Sequence, residues 1–171
     1  MKRVSPFILL LTVLTVLPFY AMGEISVSTT AVAKVKLLSA IKLTKVNDLN
    51  FGKIANGKTG SVILSPFGER TTTNVVAVGS SGWSPARFEV RGANDYEYYI
   101  NLPANVTIKN GDNILVINEL VAKPSTSSGE GLVGIVKSDS YFTVGGRLIL
   151  QSTELPAGVY TASFDVSVGY N

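Results

Sequence analysis

The 171-residue chain contains no cysteine and no histidine. The first absence removes disulfide staples, thiolate nucleophiles and Cys-based zinc or iron–sulfur sites. The second removes the imidazole base that works near neutral pH, the Ser-His-Asp triad and the commonest metal ligand. Acidic residues are sparse too: twelve Asp and Glu, scattered as solvated strand and turn positions are. The formal charge of +3 owes much to Lys2 and Arg3; without that pair, 13 of the 15 basic residues remain against 12 acidic ones. No basic run is interleaved with aromatics, so no nucleic-acid partner is expected. A chain so composed is expected to be no enzyme and to need no cofactor or metal.

Three short motifs that carry catalytic or cofactor chemistry elsewhere stand here in the wrong context. Gly129–Gly134 matches G-x-G-x-x-G. A dinucleotide site needs that motif between a strand and a helix, whereas a Ser-rich loop precedes it here and a β pattern follows. Ser39-Ala40-Ile41-Lys42 matches S-x-x-K and Lys58-Thr59-Gly60 matches K-T-G. In penicillin-recognising enzymes the first opens a helix and the second lies on a distant strand; these two are close together in an alternating segment, with no S-x-N between them.

Long apolar runs are confined to the start. Lys2 and Arg3 precede an apolar stretch from Pro6 to Tyr20, followed by Ala21, Met22 and Gly23. This pattern predicts a signal peptide over residues 1–23, cleaved between Gly23 and Glu24. The alternative is an uncleaved anchor. The run is short of the ~20 apolar residues a spanning helix needs, is broken by Pro18 and lacks a basic stop-transfer cluster. Cleavage leaves 148 residues, one domain by length, able to fold without disulfides. Its expected destination is the cell surface or the medium, by way of the periplasm, with no integral membrane segment after processing.

The mature chain has a dominant period of two, as half-buried strands do. It begins with Ile25, Val27, Thr29, Ala31, Ala33 and Val35 on one face, so residues 24–36 are expected to form an N-terminal strand ahead of a domain over 37–171. Further strands are expected at Leu38–Lys45, Ser61–Leu64, Asn74–Val78, Val106–Lys109, Ile114–Lys123, Leu132–Val136 and Tyr141–Gln151, with Gly145-Gly146 marking a bulge. Arg87–Arg91 and Tyr96–Leu102 read as a hairpin across Gly92–Asp95. Ala122–Glu130 reads as an exposed loop. The last strand is the cleanest, with Tyr160, Ala162, Phe164, Val166, Val168 and Tyr170 on one side after Gly158. About ten short strands without a helical stretch predict an all-β, immunoglobulin-like antiparallel β-sandwich.

Trp83, Tyr96 and Tyr99 are candidate ligand-binding aromatics, with Tyr98, Asn94, Asp95 and Glu97 nearby in sequence. The simpler alternative has Tyr98 alternating inward with Ile100 and Leu102, and Tyr99 on an outer face, as ordinary sheet stabilisers.

The two ends carry the most specific pattern. The chain closes on Gly158, fourteenth from the end, and Tyr170, penultimate, with Phe164, Val166 and Val168 alternating between them. This resembles the C-terminal motif of chaperone–usher pilins. Leu155-Pro156-Ala157-Gly158-Val159-Tyr160 is similar to the approach to the last strand in spore coat protein U-like pilins, and Leu49-Asn50-Phe51-Gly52 is similar to the element after their first core strand. A related group of exported bacterial domains, described only as a domain of unknown function, combines both elements. The pilins' usual Cys is missing here, with Ala40 and Ile41 in its neighbourhood, which makes the unknown-function group the better match.

The resemblance implies a pilin-like sandwich short of one strand, completed by a neighbour's N-terminal extension, with a periplasmic chaperone and an outer-membrane usher as assembly partners. Ile25, Val27, Thr29, Ala31, Ala33 and Val35 would be the donor positions; Gly158, Tyr160, Phe164, Val166, Val168 and Tyr170 would belong to the strand bordering the groove. The expected role is an exported structural or adhesive subunit of a pilus- or fimbria-like polymer, self-associating or assembling with related subunits. A self-complete sandwich binding a carbohydrate or other cell-surface ligand is the alternative, and a period-two pattern leaves pairing within one chain and between chains both open.

Overall fold

The computed structural model describes residues 26–171; the signal sequence, the cleavage site at Gly23 and Glu24, and Ile25 lie outside the described residues. The chain divides into two units, Met1–Lys36 and Leu37–Asn171. In the first, residues 26–36 form no strand, and Val27, Val32 and Val35 stand exposed. The strand expected there is therefore not formed. Alternation assigns side chains to faces, but a strand also needs partners for its N–H and C=O groups.

The second unit is all β: β1 (Lys42–Asn47), β2 (Lys53–Ala55), β3 (Gly60–Leu64), β4 (Arg70–Thr73), β5 (Val76–Val78), β6 (Ala86–Arg91), β7 (Glu97–Asn101), β8 (Asn105–Asn110), β9 (Asn113–Pro124), β10 (Val133–Ile135), β11 (Tyr141–Leu150) and β12 (Ser167–Tyr170). Among the described residues no helix is long and apolar enough to cross a membrane. All pairings are antiparallel, and the strands build a β-sandwich.

The ten-residue β11 organises the larger sheet. One edge pairs with β9, which pairs in turn with β8. The other edge is shared, Tyr141–Val144 taking β6 and Gly146–Leu150 taking β3. β1 then adds to β6, and β4 to β3. Three strands in the order β10-β7-β12 form a second sheet, and β2 pairs with β5 in a short ribbon. The bulge expected at Gly145-Gly146 is present: register against β9 shifts between Gly145 and Arg147. A Cβ on Gly145 would collide with the Leu64 carbonyl. Across the bulge Glu119 adopts a φ of 50° and accepts a 2.8 Å hydrogen bond from Arg147 Nε.

Three expectations need correction. β6 and β7 do not form a hairpin; the turn at Gly92–Asp95 carries the chain from one sheet to the other. Asp95 takes a φ of 67°, its N–H donates to the Val136 carbonyl, and the Val136 N–H donates to the Tyr96 carbonyl. Facing sheets let Phe88 and Val90 pack in one cluster with Tyr98 and Ile100, which neighbours in a single hairpin would not achieve as fully. Secondly, Ala122 and Pro124 are buried at the end of β9, so the loop begins at Ser125. Thirdly, the last strand is regular only over Ser167–Tyr170, with one isolated bridge at Thr161.

Two clusters fill the interior. Phe142, Phe88, Tyr98, Val90 and Val144 lead one, with the Phe88 and Phe142 rings stacked at 5.2 Å. Val62, Leu64, Phe51 and the aliphatics of β8, β9 and β11 form the other.

Candidate functional site

The second cluster borders a concave seam of the sandwich. Its floor is six aliphatic side chains that alternate inward on three adjacent strands: Val106 and Ile108 of β8, Leu115 and Ile117 of β9, and Leu148 and Leu150 of β11. Two chain segments wall it, residues 48–56 and residues 155–164, and together they enclose about 710 Å³.

The first wall begins with Leu49-Asn50-Phe51-Gly52. Asn50 exchanges two 2.9 Å backbone hydrogen bonds with Ser84 and Phe51 is buried in the cluster. Gly52 has a φ of 77°, a conformation that side chains resist, and a Cβ there would meet Arg70 Nη1 at 2.7 Å. Arg70 donates from Nη1 to the Phe51 carbonyl at 3.1 Å and lies 3.9 Å over the Trp83 ring, while Trp83 donates to the Gly68 carbonyl at 3.0 Å. Trp83 and Arg70 therefore brace the wall from behind. Beyond it, β2 pairs with β5 on one edge.

The other wall is the irregular run before β12. Leu155 is buried, and Tyr160 and Phe164 pack half-buried on the cluster. The Tyr160 hydroxyl donates to the Pro156 carbonyl at 3.0 Å. Thr161 exchanges long backbone bonds, 3.3 and 3.4 Å, with Lys109 of β8. Among the described residues no ladder joins residues 158–164 to the first wall. The walls meet where Asn56 Nδ2 donates to the Leu155 carbonyl at 3.2 Å.

Only two residues of this lining are charged, Asp48 and Lys53. The groove thus offers apolar surface and backbone hydrogen-bonding groups, the two things a β-strand needs from a partner.

Of the residues assigned to the bordering strand, Gly158, Tyr160 and Phe164 line the groove. Val166, Val168 and Tyr170 instead pack on the other cluster. The Tyr170 hydroxyl accepts a 2.6 Å hydrogen bond from the Ala93 N–H and donates one of 2.7 Å to the Ser39 carbonyl. The aromatic candidates have separate neighbours: Trp83 the wall, and Tyr96 the edge of the Tyr170 ring at 6.1 Å. Tyr98 is fully buried and Tyr99 half-exposed on the outer face, as alternation predicts. Burial pushes the Tyr98 hydroxyl's pKa up to about 12, and the hydroxyl has no hydrogen-bond partner among the described residues. The sequence reading missed the floor and the Arg70–Trp83 brace; Leu49–Gly52, quoted for its resemblance, was the available signal for the first wall.

The fold and this open seam define an antiparallel β-sandwich domain with an uncovered apolar groove. The chain belongs to the family described as Domain of unknown function (DUF4402), whose model matches residues 41–170. No curated protein matches the chain.

Proposed function

We propose that this protein is an exported, pilin-like structural subunit that assembles by strand complementation into a pilus- or fimbria-like surface polymer. The incoming strand is residues 25–35 of a second copy, or the same segment of a related subunit. The observation that carries the reading is the groove: an apolar seam of about 710 Å³ floored by six aliphatic side chains, between two walls that share no ladder among the described residues. An open apolar seam is an aggregation hazard in a free subunit, which is why a periplasmic chaperone and an outer-membrane usher fit as partners. Contacts of this kind run head to tail and do not close, so they build fibres. The alternating segment Val27, Thr29, Ala31, Ala33 and Val35 supplies one apolar or small face to lay against the aliphatic floor.

The test uses the mature protein from Glu24 and a version lacking residues 24–36. The full protein should form concentration-dependent multimers. The truncated one should stay monomeric and gain thermal stability when a peptide of residues 24–36 is added. A truncated protein whose melting temperature ignores saturating peptide sinks the proposal.

A second reading draws on the outer face of the smaller sheet, where Tyr99 pairs in register with Val133 and both are half-exposed. It makes the protein an exported binding module for a carbohydrate or other cell-surface ligand. Titrating cell-wall and host glycans against wild type and Tyr99→Ala tests it; identical null binding by both removes it.

A further inference from the structure

We propose that Asn56-Gly57 is a self-modifying site, at which the Asn56 amide is lost by cyclisation and the hydrogen bond joining the two walls of the groove is lost with it. The inference stands whether or not the groove takes a strand.

The chain holds two Asn-Gly pairs, Asn56-Gly57 and Asn110-Gly111. In such a pair the glycine nitrogen attacks the asparagine Cγ, since glycine has no Cβ to shield that nitrogen or stiffen the backbone about it. An N–Cγ bond forms and closes an imide ring, the Cγ–Nδ2 bond breaks, and ammonia leaves with the proton given up by the glycine nitrogen. Water then opens the ring. Opening at Cγ leaves aspartate; opening at the asparagine's own carbonyl carbon leaves isoaspartate, with the chain routed through the side chain.

Ring closure needs the backbone to turn at the asparagine, so that the next nitrogen faces Cγ. The two pairs differ in that freedom. Asn110 ends β8 in register with Asn113 of β9, and the ladder holds its backbone extended. Its carbonyl accepts a 3.3 Å hydrogen bond from Asn113 Nδ2, and its own amide is packed so closely that a Cβ on Gly158 would strike it. Asn56 lies past the end of β2, exposed in a bend with Gly57. Among the described residues no hydrogen bond holds the Gly57 N–H, and nothing lies within 4 Å of where a Cβ would stand. A single bond restrains the side chain, the 3.2 Å contact from Asn56 Nδ2 to the Leu155 carbonyl.

That bond is what the reaction destroys. A carboxylate has no proton to donate, so the product sets oxygen against oxygen where the walls meet. It also brings a negative charge to a lining whose charged residues are Asp48 and Lys53. The change runs one way, because the ammonia has left.

The test holds the mature protein from Glu24 at mildly alkaline pH, with and without urea, and follows the peptides carrying Asn56 and Asn110 by mass. In the folded protein Asn56 should convert about tenfold faster than Asn110. In urea, where both are plain Asn-Gly pairs, the two rates should converge. Asn56→Gln, whose longer side chain closes a ring far less readily, should silence its peptide. Equal rates in the folded protein overturn the site, and so does a gap that persists unchanged in urea. Asn56→Asp tests the wall contact: it should melt about 3 °C below the wild type, and Asn56→Gln, which keeps a donor, within about 1 °C of it. Aged wild type, resolved by charge into amide and acid forms, gives the same comparison if Asn56→Asp folds poorly. Equal melting of the two forms overturns the loss of the wall contact.

Discussion

The two halves of the sandwich are built from the same kinds of residue and end up in different states. Around Phe142 both sheets are present: β10, β7 and β12 lie across β6 and β11, and Phe142, Val144, Val90 and Tyr98 have no exposed surface. Around Leu115 the floor strands are as regular, but their six aliphatics, 4–8% exposed, border a groove rather than a facing strand. One continuous chain makes the difference. Residues 167–170 pair with β7, while residues 162–166 ahead of them, with the same alternation, lie outside any strand. Alternation therefore sets which side chains turn inward, and the supply of partner edges sets whether a strand forms.

Large-to-small substitutions should expose the contrast most strongly. Phe142→Ala, in the closed half, should cost about 3–5 kcal/mol in chemical denaturation, through lost burial and a cavity with no slack to collapse. Leu115→Ala, on the groove floor, should cost about 2–3 kcal/mol, near the low end for such changes. Equal losses at the two positions would abolish the distinction between the halves. Peptide 24–36 sharpens it further: the truncated domain should gain about 2.7 kcal/mol at a hundred times the dissociation constant. The Leu115→Ala variant should bind the peptide more weakly, and a Phe142→Ala domain that still folds should bind it normally.

Smaller effects follow at the edges of each half. Gly52→Ala places a side chain at a φ of 77° against Arg70 and should cost about 1–2 kcal/mol, loosening the wall that Trp83 braces; Trp83 fluorescence should report the change. Tyr98→Phe in the closed half should be neutral or raise stability by up to about 1 kcal/mol, because the hydroxyl is buried unpaired. Its pH dependence carries a definite sign. The folded-state pKa is raised from 10.0 to about 12, so the folded protein holds this proton more tightly than the unfolded chain. The wild type should keep the contribution below pH 10 and lose it as pH rises from 10 through about 12. In Tyr98→Phe that part of the alkaline decline should be missing, as urea melts across this range would show.

Much of the fold was legible beforehand where local pattern and final environment agree. The alternation of Tyr98, Ile100 and Leu102, the bulge at Gly145-Gly146 and the all-β class follow from periodicity and glycine placement. β2 and β4 were not foreseen, because Lys53–Ala55 is short and Arg70–Thr73 is polar; both owe their form to β5 and β3. The hairpin at Gly92–Asp95 was misread because a turn's residue types specify a reversal and leave open which sheet receives the next strand. Of the candidate site, Gly158, Tyr160 and Phe164 were identifiable from the last strand. The floor was not, since Val106, Ile108, Leu115, Ile117, Leu148 and Leu150 look like any other core positions, and only the walls around them make a groove.

By itself the sequence determined the two-residue period, the inward-facing set of each strand and the chemistry closed to a chain without cysteine or histidine. Those are local or compositional properties, available before any contact is made. Only the tertiary structure decided which edges find partners. Pairing joins residues as distant as Lys109 and Thr161, or Ser39 and Tyr170, and no local pattern encodes a closure across such separations. The open groove is a property of that pairing, and so is the phenol of Tyr170 held between Ser39 and Ala93.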